Sequence, residues 1–198
     1  MHERDDFAHP FYFLRHGETH WNREGRTQGQ LDAALSPRGI VQARAAARAL
    51  AAEPIRRIVA SPLSRALDTA RIVGEILGLA VETDAGLMEC HLGAHQGEPH
   101  GPWLAAFFRG EYAPPGGERF EDFCARAWGA MRRAVAGGPE TLIVAHGGLW
   151  IAAQRFVAIE PALPRLPNAL PVRVEPQGAV WRQRVLGAAQ PDPVPARF

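Results

Sequence analysis

Three apolar runs, Phe11-Tyr12-Phe13-Leu14, Ile58-Val59-Ala60 and Thr141-Leu142-Ile143-Val144-Ala145, each stop abruptly at a turn of charged residues, glycine or proline, with a helical pattern further on. Runs this short, bounded by turn signals, read as strands buried on both faces. Strands that alternate with helices imply a sheet whose neighbours are mostly parallel, because a parallel pair needs a crossover between its members. The expected fold is an α/β three-layer α/β/α sandwich with a mostly parallel central sheet. With 198 residues, 46% of them hydrophobic, the chain can bury one substantial core, so residues 1–198 are expected to form a single domain.

The connecting segments agree. Ser36-Pro37 reads as an N-cap followed by proline at the first helical position, opening an alanine-rich helix that runs to about Ala52 and is closed by Pro54. Ser61-Pro62 starts the next helix in the same way, with Leu63, Leu67, Ala70, Val73 and Leu77 on one stripe and Gly78 as its C-terminal cap. Phe120, Phe123, Cys124, Ala127, Met131 and Val135 mark a third amphipathic helix, and Leu149 to Ile159 reads as a fourth. Val172-Arg173-Val174 and Ala179 to Leu186 read as short closing strands around Pro176-Gln177-Gly178. Residues 97–119, rich in proline and glycine around the apolar piece Trp103 to Phe108, suit a lid over a site, and residues 187–198 a loose tail.

Parallel strands present their carboxyl ends on one edge, where open α/β sheets bind ligands. The first strand delivers Arg15-His16-Gly17-Glu18-Thr19 to that edge, the second Ser61 with Arg65 one helical turn on, and the third His146-Gly147-Gly148. Two arginines and two histidines there form a cradle for a phosphoryl group, with backbone N–H groups as added donors. An alkoxide leaving group needs a proton, and Glu89, in a turn where partial burial would favour its holding one, is the candidate source.

The charge balance of 22 basic residues, all arginine, against 21 acidic ones gives no overall field for nucleic acid or a membrane surface. Cys90 and Cys124 form no disulfide framework, the amino terminus carries Arg4, Asp5 and Asp6 rather than a signal-peptide pattern, and no run has the length of a membrane span. A cytoplasmic protein is expected. His91 and His95 have an i, i+4 spacing that could ligate a metal on a helix, but Gly93, Gly97, Pro99 and Gly101 argue against that helix, and no metal site is expected.

Taken in order, Arg15-His16-Gly17-Glu18-Thr19-His20-Trp21-Asn22, Gln28-Gly29-Gln30-Leu31-Asp32, Ser61-Pro62-Leu63-Ser64-Arg65-Ala66, Glu89 with Gly93 and Gly97, Pro115-Gly116-Gly117-Glu118 and Ala145-His146-Gly147-Gly148 resemble the histidine phosphatase superfamily, the phosphoglycerate mutase-like fold. The resemblance runs from about Phe11 to about Ile159. It implies that His16 is the phosphorylated nucleophile, that Arg15, Arg65 and His146 bind the phosphoryl group with Asn22 in contact, and that Glu89 donates the proton. By the same resemblance Gln28 lines the pocket, Gly17 lets the backbone approach and Gly147 presents an N–H at a helix start. The implied enzyme is a phosphomonoester hydrolase acting on small phosphorylated metabolites, without metal or cofactor. Its compact residue 97–119 stretch and Gln28-Gly29 pair favour a phosphatase over a cofactor-dependent phosphoglycerate mutase, the first alternative. The second alternative is a catalytically silent module that binds phosphorylated ligands. His95 stands where the family often has an aromatic residue and Arg119 where serine is common, departures that bear on substrate. The natural ester and the oligomeric state, a homodimer among the options, are left open.

Overall fold

The computed structural model describes residues 7 and 9–187. A seven-stranded sheet runs in the order β3-β2-β4-β1-β6-β7-β5. Its first half is parallel: β3 (Val81–Thr83), β2 (Arg57–Ala60), β4 (Thr141–Ala145) and β1 (Phe11–Arg15). The closing strands β6 (Pro171–Gln177) and β7 (Val180–Val185) add antiparallel pairs, and β5 (Ala158–Glu160) lies parallel to β7 at the far edge.

Alternating side chains of the central strands fill two separate cores, one on each face. Phe11, Phe13, Val59, Ile143 and Ala145 pack with α5 (Phe120–Ala136) and α6 (Gly147–Ala153), whereas Tyr12, Leu14, Ile58, Leu142 and Val144 pack with α2 (Pro37–Leu50) and α3 (Ser64–Leu77). Burial on both faces explains why the sequence of these strands is continuously apolar rather than alternating. The register aligns Arg15 with Ala145 and Ala60 with Val144, so the chain leaves β1, β2 and β4 at adjacent points on one edge.

Several boundaries differ from the sequence expectation. The helix after β2 begins at Ser64, not at Ser61-Pro62, because the Ser61 hydroxyl is engaged with His146 at 2.7 Å and caps nothing further than Leu63 N–H. The fourth helix stops at Ala153, and the chain then turns to deliver Ile159 into β5, where it is buried against the sheet. A short helix α1 (His20–Glu24), capped by Thr19 and Asn22 in a reciprocal box, was not read from the sequence. Residues 97–119 contain a helix, α4 (Pro102–Phe108), pinned to the neighbouring loop by His95, which stacks on Trp103 at 4.0 Å and bonds the Tyr112 hydroxyl. His95 thus packs as an aromatic ring. Of the expected tail only Gly187 falls within the described residues.

Candidate active site

At the carboxyl edge a cleft of about 850 Å³, part of it open to solvent, is lined by Arg15, His16, Asn22, Gln28, Arg65, Glu89 and Gly147. These residues come from six separate stretches of sequence, and the edge brings all of them together. His146 lies behind this wall, fully buried, its ring 5.3 Å from that of His16.

His16 emerges from β1 with its main chain still tied to the sheet, its N–H donating to Ala145 O at 3.0 Å. Its Nδ1 lies 2.7 Å from Gly17 O, an acceptor only, so Nδ1 carries the proton and Nε2 keeps its lone pair. Burial, then the charges of Arg65 and Arg15, hold the imidazole well below its ordinary pKa. At neutral pH the ring is uncharged. The following turn is pressed against the start of α2: a Cβ on Gly17 would stand 2.5 Å from Gly39 O. Glycine is needed there for packing against the start of α2.

Arg65 is almost fully buried yet cationic, its pKa pulled down to about 10 mainly by desolvation. It donates to Gly29 O at 2.7 Å and Leu31 O at 3.0 Å, while Asp32 accepts from the Ser64 N–H at 2.9 Å. These bonds hold residues 28–32 over the start of α3 and place Gln28 in the cleft. Its buried Oε1 and the buried Nε of Arg65 have no hydrogen-bond partner among the described residues, so an acceptor and a donor stand ready for a ligand. Arg15 donates through Nη1 to Leu166 O at 2.9 Å. Asn22 accepts from Thr19 N–H at 3.1 Å with its amide oxygen, which leaves its NH₂ group as donor to the cleft.

His146 also lies well below its ordinary pKa, through burial and then the charges of Arg65, His16, Arg15 and Arg126. Its Nε2 meets Ser61 Oγ, whereas its buried Nδ1 has no hydrogen-bond partner among the described residues. Glu89 is fixed by two backbone donors, Cys90 N–H to Oε1 and Gly148 N–H to Oε2, both at 3.0 Å. A Cβ on Gly148 would collide with that carboxyl group, so glycine at 148 is what permits the approach. At this helix start the N–H of Gly148 serves Glu89, while Gly147 lines the cleft.

Several residues around the site were missed by sequence reasoning. Arg126, on α5, donates to Gly86 O, Met88 O and Glu89 O and forms a paired contact with Glu118, whose other bond accepts His91 N–H at 2.7 Å. This clamp holds both sides of the turn that carries Glu89. Asn168 donates to His16 O at 2.9 Å and to Asn22 Oδ1 at 3.3 Å. Arg126 is half-buried on α5 and its polar partners lie far along the chain, so no local pattern marks it, and Asn168 sits in a segment with no motif. Cys90 lines the cleft, but burial, with the nearby charges of Glu89 and Glu118, pushes its thiol pKa up, so it stays protonated.

The sequence of residues 11–187 matches the model of the histidine phosphatase superfamily (branch 1). The chain belongs to the histidine phosphatase superfamily. It is 40% identical over 180 residues to the glucosyl-3-phosphoglycerate phosphatase of Mycobacterium tuberculosis, covering 82% of this chain and 78% of that protein. It is 32% identical over 189 residues to a probable phosphoglycerate mutase, GpmB, of an Enterobacter species, covering 86% of each chain. The solved structure of a mycobacterial glucosyl-3-phosphoglycerate phosphatase in complex with VO3 superimposes with a TM-score of 0.78 at 35% identity, covering 92% of this chain and all of that one. This histidine phosphatase is a hydrolase of phosphomonoesters of small metabolites.

Proposed function

We propose that this histidine phosphatase works through a phosphohistidine on His16, and the observation that carries the reading is the neutral His16 ring, oriented by Gly17 O, between Arg15 and Arg65. Nε2 attacks phosphorus in line as the ester P–O bond breaks; a P–N bond forms, and Glu89 gives a proton to the departing oxygen. Arg15, Arg65 and the amide of Asn22 hold the equatorial oxygens, whose charge grows in the transition state. Water, deprotonated by Glu89, then attacks phosphorus, the P–N bond breaks, and inorganic phosphate and free His16 result. Gln28 and the Gly147 backbone line the same space. Arginine supplies the positive charge that a metal supplies elsewhere, so phosphate release is expected to persist in EDTA and to be inhibited by vanadate. Restoration of a chelated, inactive enzyme by one divalent metal would contradict this.

Two arrangements support hydrolysis over the alternatives. The relatives named as phosphatases share more of their sequence with this chain than those named as probable phosphoglycerate mutases. All the reacting groups of a turnover cycle are present around one cleft, which a silent binding module does not need. With 2- and 3-phosphoglycerate and 2,3-bisphosphoglycerate supplied, phosphate release is expected to exceed interconversion. Efficient interconversion with little release would reverse the ranking. The buried, unpaired Cys90 and Cys124 suit a reducing compartment, and we place the enzyme in the cytoplasm as one domain over residues 1–198.

The bond between Ser61 and His146 supports a positioning role for Ser61. Ser61 Oγ, already accepting from Leu63 N–H, donates its proton to Nε2, which keeps the other ring proton on Nδ1 as a donor to the phosphoryl group. Ser61→Ala is expected to lower kcat/KM roughly tenfold to a hundredfold, with a changed His146 tautomer in ¹⁵N NMR spectra of the ring. An unaltered tautomer would refute the role.

A further inference from the structure

Pro115-Gly116-Gly117-Glu118 stands among the sequence motifs, yet none of these residues is among the described ones that line the cleft, and the reaction has no step for them. Their contacts are with the turn that follows Glu89. Ala94 N–H donates to Pro115 O at 3.0 Å, and Glu118 N–H donates to His91 O at 2.8 Å. A Cβ on Gly93 would collide with Pro115 O, and one on Gly117 would stand 2.6 Å from His91 O, so the two backbones meet only because both residues are glycine.

This approach seats the Glu118 carboxylate between Arg126 of α5 and the main chain around Glu89. Its Oε1 accepts from Arg126 Nε at 2.8 Å, and its Oε2 accepts from Arg126 Nη2 at 2.8 Å and from His91 N–H at 2.7 Å. Burial alone would push the Glu118 carboxyl up, but the bonds from Arg126 and His91 N–H outweigh it and hold the group below its ordinary pKa. The pair is ionic. The other guanidinium donors go to carbonyl oxygens of the same turn, Gly86 at 3.0 Å, Met88 at 2.9 Å and Glu89 itself at 3.2 Å. Every N–H of the planar fork is thereby used, on Glu118 or on the main chain around Glu89. The ion pair fixes the backbone on both sides of Glu89, while Cys90 N–H and Gly148 N–H fix its carboxyl group. An acid protonates a departing oxygen only within hydrogen-bond reach, and a misplacement of about 1 Å can cost roughly 10²-fold. Resting on Glu89 as the acid of the reading above, we propose that Arg126 and Glu118 are positioning residues, an ion pair outside the cleft that holds the turn where Glu89 reaches the ester oxygen.

The test follows a ratio of two rates, single-turnover phosphorylation of His16 by an alkyl phosphate that the wild type hydrolyses and by p-nitrophenyl phosphate. Both are measured on one preparation, so the ratio does not depend on the folded fraction. Arg126→Met is expected to lower it roughly tenfold to a hundredfold, because the alkoxide needs a well-placed proton and the phenolate does not. Glu118→Gln nearly keeps the shape but turns an NH₂ group toward donors that need an oxygen, and it should lower the ratio in the same direction. In a Glu89→Gln background Arg126→Met should lower the ratio no further, since its effect passes through that side chain. Arg133→Gln is the control: Arg133 also lies on α5 and bonds Asp84, which accepts Gly86 N–H, but it does not bond the main chain of Glu89, and the ratio should hold. A wild-type ratio in both Arg126→Met and Glu118→Gln, equal losses on the two esters, or a further drop in the Glu89→Gln background overturns the positioning role. An equal effect of Arg133→Gln overturns it too. Glu89→Gln by itself separates the two failures: if it moves the ratio while Arg126→Met and Glu118→Gln do not, only the positioning role falls, and if it leaves the ratio unchanged, Glu89 is not the acid and both fall.

Discussion

His16→Ala is expected to lower turnover by roughly 10⁴-fold or more, the scale seen when a covalent nucleophile is removed and only binding and electrostatics remain. The substitution removes the one nitrogen whose lone pair is kept available by the Nδ1 bond to Gly17 O and by a pKa held well below the ordinary value. The chemical signature is as informative as the rate. A phosphoramidate is destroyed by acid and survives alkali, so wild-type protein denatured in alkali during turnover should carry phosphate on His16, and His16→Ala should carry none. Folding offers little cover for a failed result, since the main-chain bond from His16 N–H to Ala145 O remains in the variant. A folded His16→Ala protein with wild-type turnover would show that another residue attacks phosphorus.

Glu89→Gln is expected to slow phosphorylation of His16 by alkyl phosphates roughly 10²- to 10⁴-fold, the usual scale of general acid catalysis. With p-nitrophenyl phosphate the loss should be far smaller, because the departing phenolate is stable without a proton. Single-turnover measurement is needed so that hydrolysis of the phosphohistidine, for which Glu89 also activates water, does not hide the first step. The contrast between esters also separates chemistry from architecture. Both carboxylate oxygens accept backbone N–H bonds, from Cys90 and Gly148, and an amide keeps only one such oxygen, so the substitution disturbs the wall as well. Structural damage would slow both esters alike. Equal losses would mean that Glu89 positions substrate and that the proton comes from another group.

The strands that build the reactive edge were legible because their signal is local. A run such as Thr141-Leu142-Ile143-Val144-Ala145 is apolar along its whole length only if both faces are covered, and β4 occupies those same five residues. The start of α2 was equally plain, since Ser36 Oγ does accept the Gly39 N–H and Pro37 does open the helix. His16, Arg65, Glu89 and His146 were singled out through motifs that lie next to such elements, and the parallel alignment of β2, β4 and β1, though not their order, follows from the same alternation of strand and helix.

What the sequence by itself determined, then, is five of the seven strands, β3 and β5 being the exceptions, and the residues at the ends of the central three. Only the tertiary structure decided how those residues are held, because the partners lie far along the chain and carry no pattern of their own. Ser61 looked like a helix cap; across 85 residues it is instead the partner of His146. Arg126 looked like any polar position on an amphipathic helix, yet it spans 37 residues to bond the carbonyl of Glu89 and shape the turn that presents it. Asn168 reaches back 152 residues to the carbonyl of His16. Val157 and Ile159 continued a helical pattern until the sheet offered them burial, and the helix ended at Ala153. Local propensity differs between alternatives by fractions of a kcal/mol per residue, so a single buried apolar side chain, worth about 1.5–3 kcal/mol, or one satisfied buried polar group outweighs it.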